Sequence, residues 1–324
     1  MATAVATAPP PSQPRKPTNF WRDGDQITHL VTLIFAGSVF LVTVFLVFEL
    51  WIHSGPSRAK FGFGFLTGRM WDPVSGEFGA LPFIYGTVLT SAIALLISIP
   101  LGVGAAIFLS ELAPPRLSNA LTFLVELLAA VPSVIFGLLA IFTLVPLMRQ
   151  YVEPFLKGTL GFLPLFEGPA YGVGYLTAGL ILAIMTFPFI ISISREALLA
   201  VPREQREAAL ALGATKWEST WQVVVPYARL GILGSIFLAL ARALGETMAV
   251  TMVIGNDTGI HASLLSPGYT IAAVIANEFT EATGDLYLSS LVELGLVLFA
   301  LTMVLNAGAQ LLIIATTSKG SKQP

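Results

Sequence analysis

The residues of this chain that could do chemistry gather in two places, and the first centres on Arg242. It stands inside an apolar run, with Glu246 four residues on and Thr247 next to that. An arginine at the centre of a membrane-inserted helix costs about 2.5–3.5 kcal/mol on insertion scales, so it faces a polar interior and takes a partner. On a continuous helix Glu246 lies one turn further along, within reach of an ion pair. Two readings stand side by side. In one, Arg242 and Glu246 neutralise each other and pin their helix in a bundle. In the other, Arg242 lines a path, where its planar fork suits an oxyanion. Glu49, Glu126 and Glu293 also interrupt apolar runs. Glu49 belongs at a membrane interface, and Glu126 and Glu293 in bonds to neighbouring helices rather than in proton transfer.

The second place is the polar stretch Pro202 to Pro226. Its pattern predicts two short helices joined at Gly213. Pro202 suits a first helical turn, where its missing N–H would be unpaired anyway. Gly213 suits a left-handed C-terminal cap. Thr215 and Glu218 have the spacing of a capping box opening the second helix. Pro226 then begins the next apolar run. Such an element could not lie in hydrocarbon, so it projects into water and meets a soluble partner.

Other chemistries find no residues. There is no Gly-x4-Gly-Lys-Ser/Thr stretch to cradle ATP phosphates. Gly62-x-Gly64 and Gly102-x-Gly104 lack the further glycines of a dinucleotide loop. His29, His53 and His261 are scattered, without a metal-binding spacing, and no Gly-x-Ser-x-Gly nucleophile turn occurs. With no cysteine, thiolate ligands and nucleophiles are excluded. The chain is therefore expected to hold no ATP, dinucleotide or metal cofactor of its own. A net charge of −2 and the lack of a basic stripe argue against nucleic acid.

The elements that must position these groups are membrane helices. Of 324 residues 55% are hydrophobic and 11% charged, against about 25% charged in a soluble domain, and mean hydropathy is +0.80. Six spans are expected, near 27–51, 82–109, 117–147, 172–193, 228–254 and 287–316, each long enough to cross. Pro100, Pro132 and Pro188 fall inside them, which neighbouring helices make tolerable. Residues 53–81 and 149–171 read as loops on one side. The segment Thr270–Phe279 is too short to span and reads as interfacial or re-entrant. A disordered tail (1–19), a single membrane domain (20–319, its core 82–316) and a short tip (320–324) complete the organisation. Arg15, Lys16, Arg22, Arg116, Arg195, Arg203, Arg206, Lys216, Arg229, Lys319 and Lys322 share one side with both termini, and fewer basic residues face the other. The positive-inside rule makes that side cytoplasmic. Trp21, Trp51 and Trp71 sit near span ends, as interfacial anchors do.

Glu207-Ala208-Ala209, then Gly213, then Val223-Val224-Val225-Pro226 resembles the EAA signature of ABC-importer permeases, with valines at its usual Ile and Leu positions. Three further stretches are similar to the PstC-type permeases of phosphate import: Trp71-Asp72-Pro73 with Phe78 to Thr87, Arg242 to Val250, and Pro267-Gly268 through Asn277 and Phe279. The similarity runs from about residue 61 to 316. It implies an all-α polytopic membrane protein of six transmembrane helices with type I ABC-importer architecture in the plasma (inner) membrane. Glu207, Ala208, Ala209, Gly213, Ala214 and Thr215, within 202–220, would couple to a cytoplasmic ATPase dimer that binds ATP and magnesium. Arg242 and Glu246, with Thr247, would serve the phosphate path, and the implied partners are a PstA-type sister permease and a periplasmic or lipid-anchored phosphate-binding protein. A permease for molybdate or sulfate, and an intramembrane enzyme acting on a phosphate ester through Glu126, Arg242 and Glu246, are the alternatives.

Overall fold

The computed structural model describes residues 24–320. The expected tail 1–19 and the end of the tip, 321–324, lie outside the described residues. By its internal contacts the chain divides into one unit that ends at Glu49 and another that begins at Leu50. Among the described residues six helical runs are long and apolar enough to cross a membrane.

Helix α1 (Gly24–His53) carries the candidate span Ile27–His53. Its apolar side chains, Phe35, Phe40 and Leu41 among them, are exposed, and a helix this long and apolar all round suits a membrane span.

In the second unit the stretch expected as a loop is built structure. It forms α2 (Gly55–Phe61), α3 (Gly64–Thr67) and a hairpin of β1 (Trp71–Asp72) with β2 (Glu77–Phe78), Trp71 opposite Phe78. The reason is aromatic burial. The Trp71 ring meets Phe78 at 4.8 Å and Phe83 at 4.9 Å, both edge-on, a pairing that adds to the area each ring buries.

Helix α4 (Leu81–Ile107) runs on through a widened π turn, Phe108–Leu112. Next comes α5 (Pro115–Ala129). The expected third span over 117–147 is not one helix. Pro132 is extended (φ −59°, ψ 140°) and caps a new one, since proline offers no N–H and disfavours helix at the residue before it. That run comprises α6 (Ser133–Leu139), a π turn at Ala140–Leu144, α7 (Val145–Leu147), a π turn at Met148–Val152 and α8 (Glu153–Leu160). The candidate span is therefore Ser133–Leu160, and helix occupies the first part of the loop expected over 149–171.

After α9 (Tyr175–Leu199) come α10 (Arg203–Ala211), α11 (Lys216–Ser219), a π turn at Thr220–Val224 and α12 (Val225–Gly245). Short α13 (Met248–Thr251) and α14 (Ile271–Glu278) precede the long α15 (Asp285–Gly320). All four π turns end two residues before a proline, at Pro114, Pro146, Pro154 and Pro226. A proline ring collides with the carbonyl four residues back, and a turn closed five residues back moves that carbonyl aside. In three of the four cases the helix then continues past its proline.

The core lies around α9, which packs on α4 and α12. Ala178, Ile181, Leu182 and Met185 of α9 bury against Val250 and Val253 and against Phe136 of α6. On the hairpin side, Glu278 at the end of α14 accepts hydrogen bonds from Trp71 Nε1 (2.7 Å) and Tyr287 Oη (2.6 Å). One carboxylate thus ties the hairpin, α14 and α15 together.

Candidate functional site

Three contacts fix the register of antiparallel α9 and α12. A side chain added at Gly231 would run into the Ala197 Cβ. Ser194 Oγ lies 2.8 Å from Ser235 Oγ. The Arg242 guanidinium lies over the Phe189 ring at 4.5 Å. Because Phe189 sits near the middle of α9, Arg242 is held at mid-span. It is half-buried, and its Nε is enclosed with no hydrogen-bond partner among the described residues. The contact with the Phe189 face offsets part of the cost of placing the charge there.

The expected ion pair with Glu246 is not formed. Helix α12 ends at Gly245, and Glu246 is extended at φ −70°, ψ 126°. The one-turn geometry that would bring a carboxylate back to Arg242 is therefore lost. Glycine is the weakest helix former after proline, and the chain resumes as helix only at Met248. In between, Thr247 Oγ1 donates to the Gly245 carbonyl at 3.3 Å. The reading of Arg242 and Glu246 as a self-neutralising structural pair falls with this break. What stands instead is a discontinuous helix with arginine on its last turn, at the depth where irregular backbone is tolerated only when it faces protein or a polar cavity.

Glu126 is exposed on α5 and has no side-chain bond to another helix among the described residues, contrary to expectation. Glu293 is buried beside Ser57 and Arg58 of α2.

The polar stretch adopts much of the local geometry read from it. Leu212 caps α10, the Gly213 N–H donates to Leu210 at 3.0 Å and the Ala214 N–H to Ala209 at 3.1 Å. These two bonds form a Schellman motif, with Gly213 at φ +90°. The capping box is complete: Thr215 N–H donates to Glu218 Oε2 at 2.8 Å, and Glu218 N–H to Thr215 Oγ1 at 3.3 Å. Two details differ. Pro202 precedes the first turn as the N-cap instead of lying in it. The second helix is not a separate short one; α11 runs through its π turn into α12, giving a single helical rod Lys216–Gly245, because the π turn absorbs Pro226. The outer face is bare. Glu207, Ala208, Gly213 and Thr215 are exposed, Ala209 and Ala214 half-buried. Leu212 is 91% exposed, and the rings of Trp217 and Trp221, 5.6 Å apart, are partly uncovered.

Sequence reasoning missed Arg206. Its guanidinium takes Glu111, at the end of α4, in a two-pronged grip (Nε to Oε2 3.2 Å, Nη2 to Oε1 2.9 Å) and donates to the Leu198 carbonyl at 2.7 Å. Helix α10 is thereby bolted to the ends of α4 and α9. The signal was available only as an arginine on the inner face of an exposed helix.

On the opposite flank, Asp257 accepts from Gly259 N–H (3.1 Å), and His261 Nε2 lies 2.8 Å from its Oδ2. Burial pushes the Asp257 carboxyl up, but the Gly259 N–H and His261 outweigh it and hold it below the usual carboxylate range. The His261 carbonyl in turn accepts from Tyr85 Oη at 3.1 Å, fastening this loop to α4.

Residues 98–315 match the family described as the binding-protein-dependent transport system inner membrane component. A phosphate transport system permease protein PstC from Mesorhizobium japonicum is 49% identical over 294 residues, covering 90% of each chain. A protein of the same name from Haemophilus influenzae is 46% identical over 286 residues, covering 87% of this chain and 90% of its own. Among solved structures, a bacterial ABC transporter involved in the import of the acidic polysaccharide alginate superposes with a TM-score of 0.58 at 16% identity, over 90% of this chain and 98% of that one. A chain of the MetNI methionine ABC transporter gives 0.53 at 17% identity, over 76% and 99%.

Proposed function

The chain belongs to the family of binding-protein-dependent inner-membrane transport components, and from that premise we propose that it is the permease subunit of an ATP-driven importer of inorganic phosphate. It is a multi-pass membrane protein that forms part of the translocation pathway, and an ATPase and a solute-binding protein work with it. The observation that carries the reading is the element 202–220: an exposed, doubly capped helix and turn with Leu212 bare at its tip, continuous with a membrane-spanning rod. Such a tip fits an apolar cleft on a soluble motor. A rigid connection then carries the motor's closure into α12.

The finer assignments extend this reading. The coupling face is Glu207, Ala208, Ala209, Gly213, Ala214 and Thr215, and it faces the cytoplasm together with both termini. ATP and magnesium are bound by the ATPase dimer, not by this chain. The sister subunit is a PstA-type permease, and a periplasmic or lipid-anchored protein delivers phosphate. Arg242 compensates the charge of phosphate in transit, with Glu246 and Thr247 on the irregular backbone beside it. The enclosed Arg242 Nε and its position on the last turn of a broken helix support that role, since transporter sites lie at such interruptions. Arg242 is not held by Glu246 here, so its charge is available to an anion.

The test is uptake of radiolabelled phosphate into proteoliposomes holding the assembled transporter, with binding protein outside and ATP inside. ATP-dependent accumulation that a tenfold excess of sulfate or molybdate leaves intact is expected. Equal competition by those anions would overturn phosphate as the cargo, and accumulation without ATP would overturn the coupling role.

A further inference from the structure

A groove of about 640 Å³ runs along α15 on the side that faces α2, α3 and the start of α4. Leu66, Ile84, Leu296, Val297, Leu301 and Val304 make its walls apolar. At one end the chemistry changes, where Trp51, Arg58 and Glu293 line it. Glu293 is 5% exposed, and its Oε2 has no hydrogen-bond partner among the described residues. A buried acceptor left without a donor costs about 1–3 kcal/mol, and more if charged. Beside it, Arg58 donates from Nε to Ser54 Oγ at 3.0 Å and from Nη2 to the Trp51 carbonyl, and lies 3.6 Å over the Trp51 ring. Its Nη1 donates to nothing among the described residues. One end of an apolar groove therefore offers both a carboxyl acceptor and a cationic donor.

Length separates the occupants. From Glu293 to Val304 is eleven residues, about 16 Å at 1.5 Å per residue. That is roughly half of a hydrocarbon layer about 30 Å thick, which is the reach of one acyl chain and not of a spanning helix. An apolar helix laid in the groove would also leave Glu293 Oε2 without a donor. Free phosphate would meet apolar walls and a carboxylate.

We propose that this groove binds a phospholipid with a primary-ammonium headgroup, of the phosphatidylethanolamine class: its ammonium on Glu293, its phosphate at Arg58, and one acyl chain along Leu296 to Val304. The Trp51 ring marks the headgroup level, as membrane tryptophans do. The site lies apart from Arg242 and from the coupling element, so it holds whichever anion the transporter carries.

Native mass spectrometry of the assembled transporter, taken from nanodiscs of equal phosphatidylethanolamine, phosphatidylcholine and phosphatidylglycerol, tests this. Phosphatidylcholine has the same phosphate but no N–H, so the comparison isolates the Glu293 contact. One phosphatidylethanolamine should stay bound per chain, preferred about tenfold over phosphatidylcholine, the worth of one charge-assisted hydrogen bond. Glu293→Gln should bring that preference near parity, and Leu301→Trp, which fills the groove, should remove the bound lipid with Glu293 intact. Equal retention of the two lipids by the unaltered protein, or no retained lipid, would overturn the proposal. So would a photo-crosslinker at Ala300 that captures polypeptide instead of lipid.

Discussion

Arg206→Ala is the perturbation that most directly asks how force leaves the coupling element. Its guanidinium grips Glu111 and also donates to the Leu198 carbonyl, joining α10 both to its neighbour α9 and to α4, which is distant in sequence. The side chains of the pair are 20% and 11% exposed. Exposed ion pairs contribute about 0–1 kcal/mol, whereas breaking a buried one costs about 3–5 kcal/mol. A pair this far enclosed falls between, at about 2 kcal/mol. That loss changes the ratio of attached to detached α10 about thirtyfold. The milder Glu111→Gln keeps one acceptor and removes the charge, for about 1 kcal/mol. The assay is phosphate imported per ATP hydrolysed in proteoliposomes, with co-purification of the ATPase as the control for docking. Arg206 points into the bundle and the exposed tip is untouched, so docking should persist while the transport-to-hydrolysis ratio falls, more for Arg206→Ala than for Glu111→Gln. The exchange Arg206→Glu with Glu111→Arg should rescue only in part, because glutamate cannot donate to the Leu198 carbonyl. An unchanged ratio in Arg206→Ala would refute the idea that α4 and α9 receive force through this contact.

Other outcomes follow from the same geometry. Gly213 has open space around a Cβ but φ +90°, so the cost of substitution is backbone strain rather than collision. Gly213→Asn should be tolerated and Gly213→Val should cost about 1–2 kcal/mol, with coupling falling in that order; equal coupling in the two variants would contradict the cap. Leu212→Glu should abolish co-purification of the ATPase while leaving the chain in the membrane, since it places a charge on the apolar tip proposed to dock there. Arg242→Gln should lose phosphate uptake at normal expression, whereas Glu246→Gln should shift thermal stability by less than about 0.5 kcal/mol; a larger shift would mean that the two do pair. The Asp257 carboxyl is held below its unfolded value, so its stabilisation is complete above about pH 4 and fades only as pH falls through the lower folded value. The pH profile of uptake by Asp257→Asn should therefore parallel that of the unaltered protein between pH 5 and pH 8.

Local chemistry was legible in the sequence wherever one residue type has one physical use. The Gly213 cap and the Thr215–Glu218 box depend on backbone groups a few residues away, and both stand as read. Prolines were legible in kind but not in consequence. Pro100 and Pro188 remain inside helices and Pro226 is absorbed by a π turn, yet Pro132 stops its helix. Pro100 and Pro188 sit in unbroken α-helix with no widened turn beside them, so no single residue states which of these outcomes a proline takes. Long-range partners were illegible for the same reason: Arg206 finds Glu111 across 95 positions, and Glu278 finds Trp71 across 207. An aromatic, glycine-rich stretch such as 53–81 reads as loop until its rings are seen to bury one another.

The miss at Arg242 and Glu246 is the most instructive of these. The spacing of four predicts a pair only if the helix continues, and Gly245 stands between them at the point where it stops. Had the helix continued, Glu246 would satisfy Arg242 permanently and any passing anion would have to displace it. Because it ends, the arginine keeps a half-buried charge, a ring beneath it and an enclosed Nε without a partner. A charge left in that condition at mid-span is costly to stability, and on the proposed pathway role the same cost would give a dianion reason to stop there. On that reading the contact with Phe189 would keep the site from holding the anion too tightly, since it stabilises the guanidinium when nothing else does. Phe189→Leu should therefore lower the apparent KM for phosphate and slow turnover together, and a change in either one alone would break the argument.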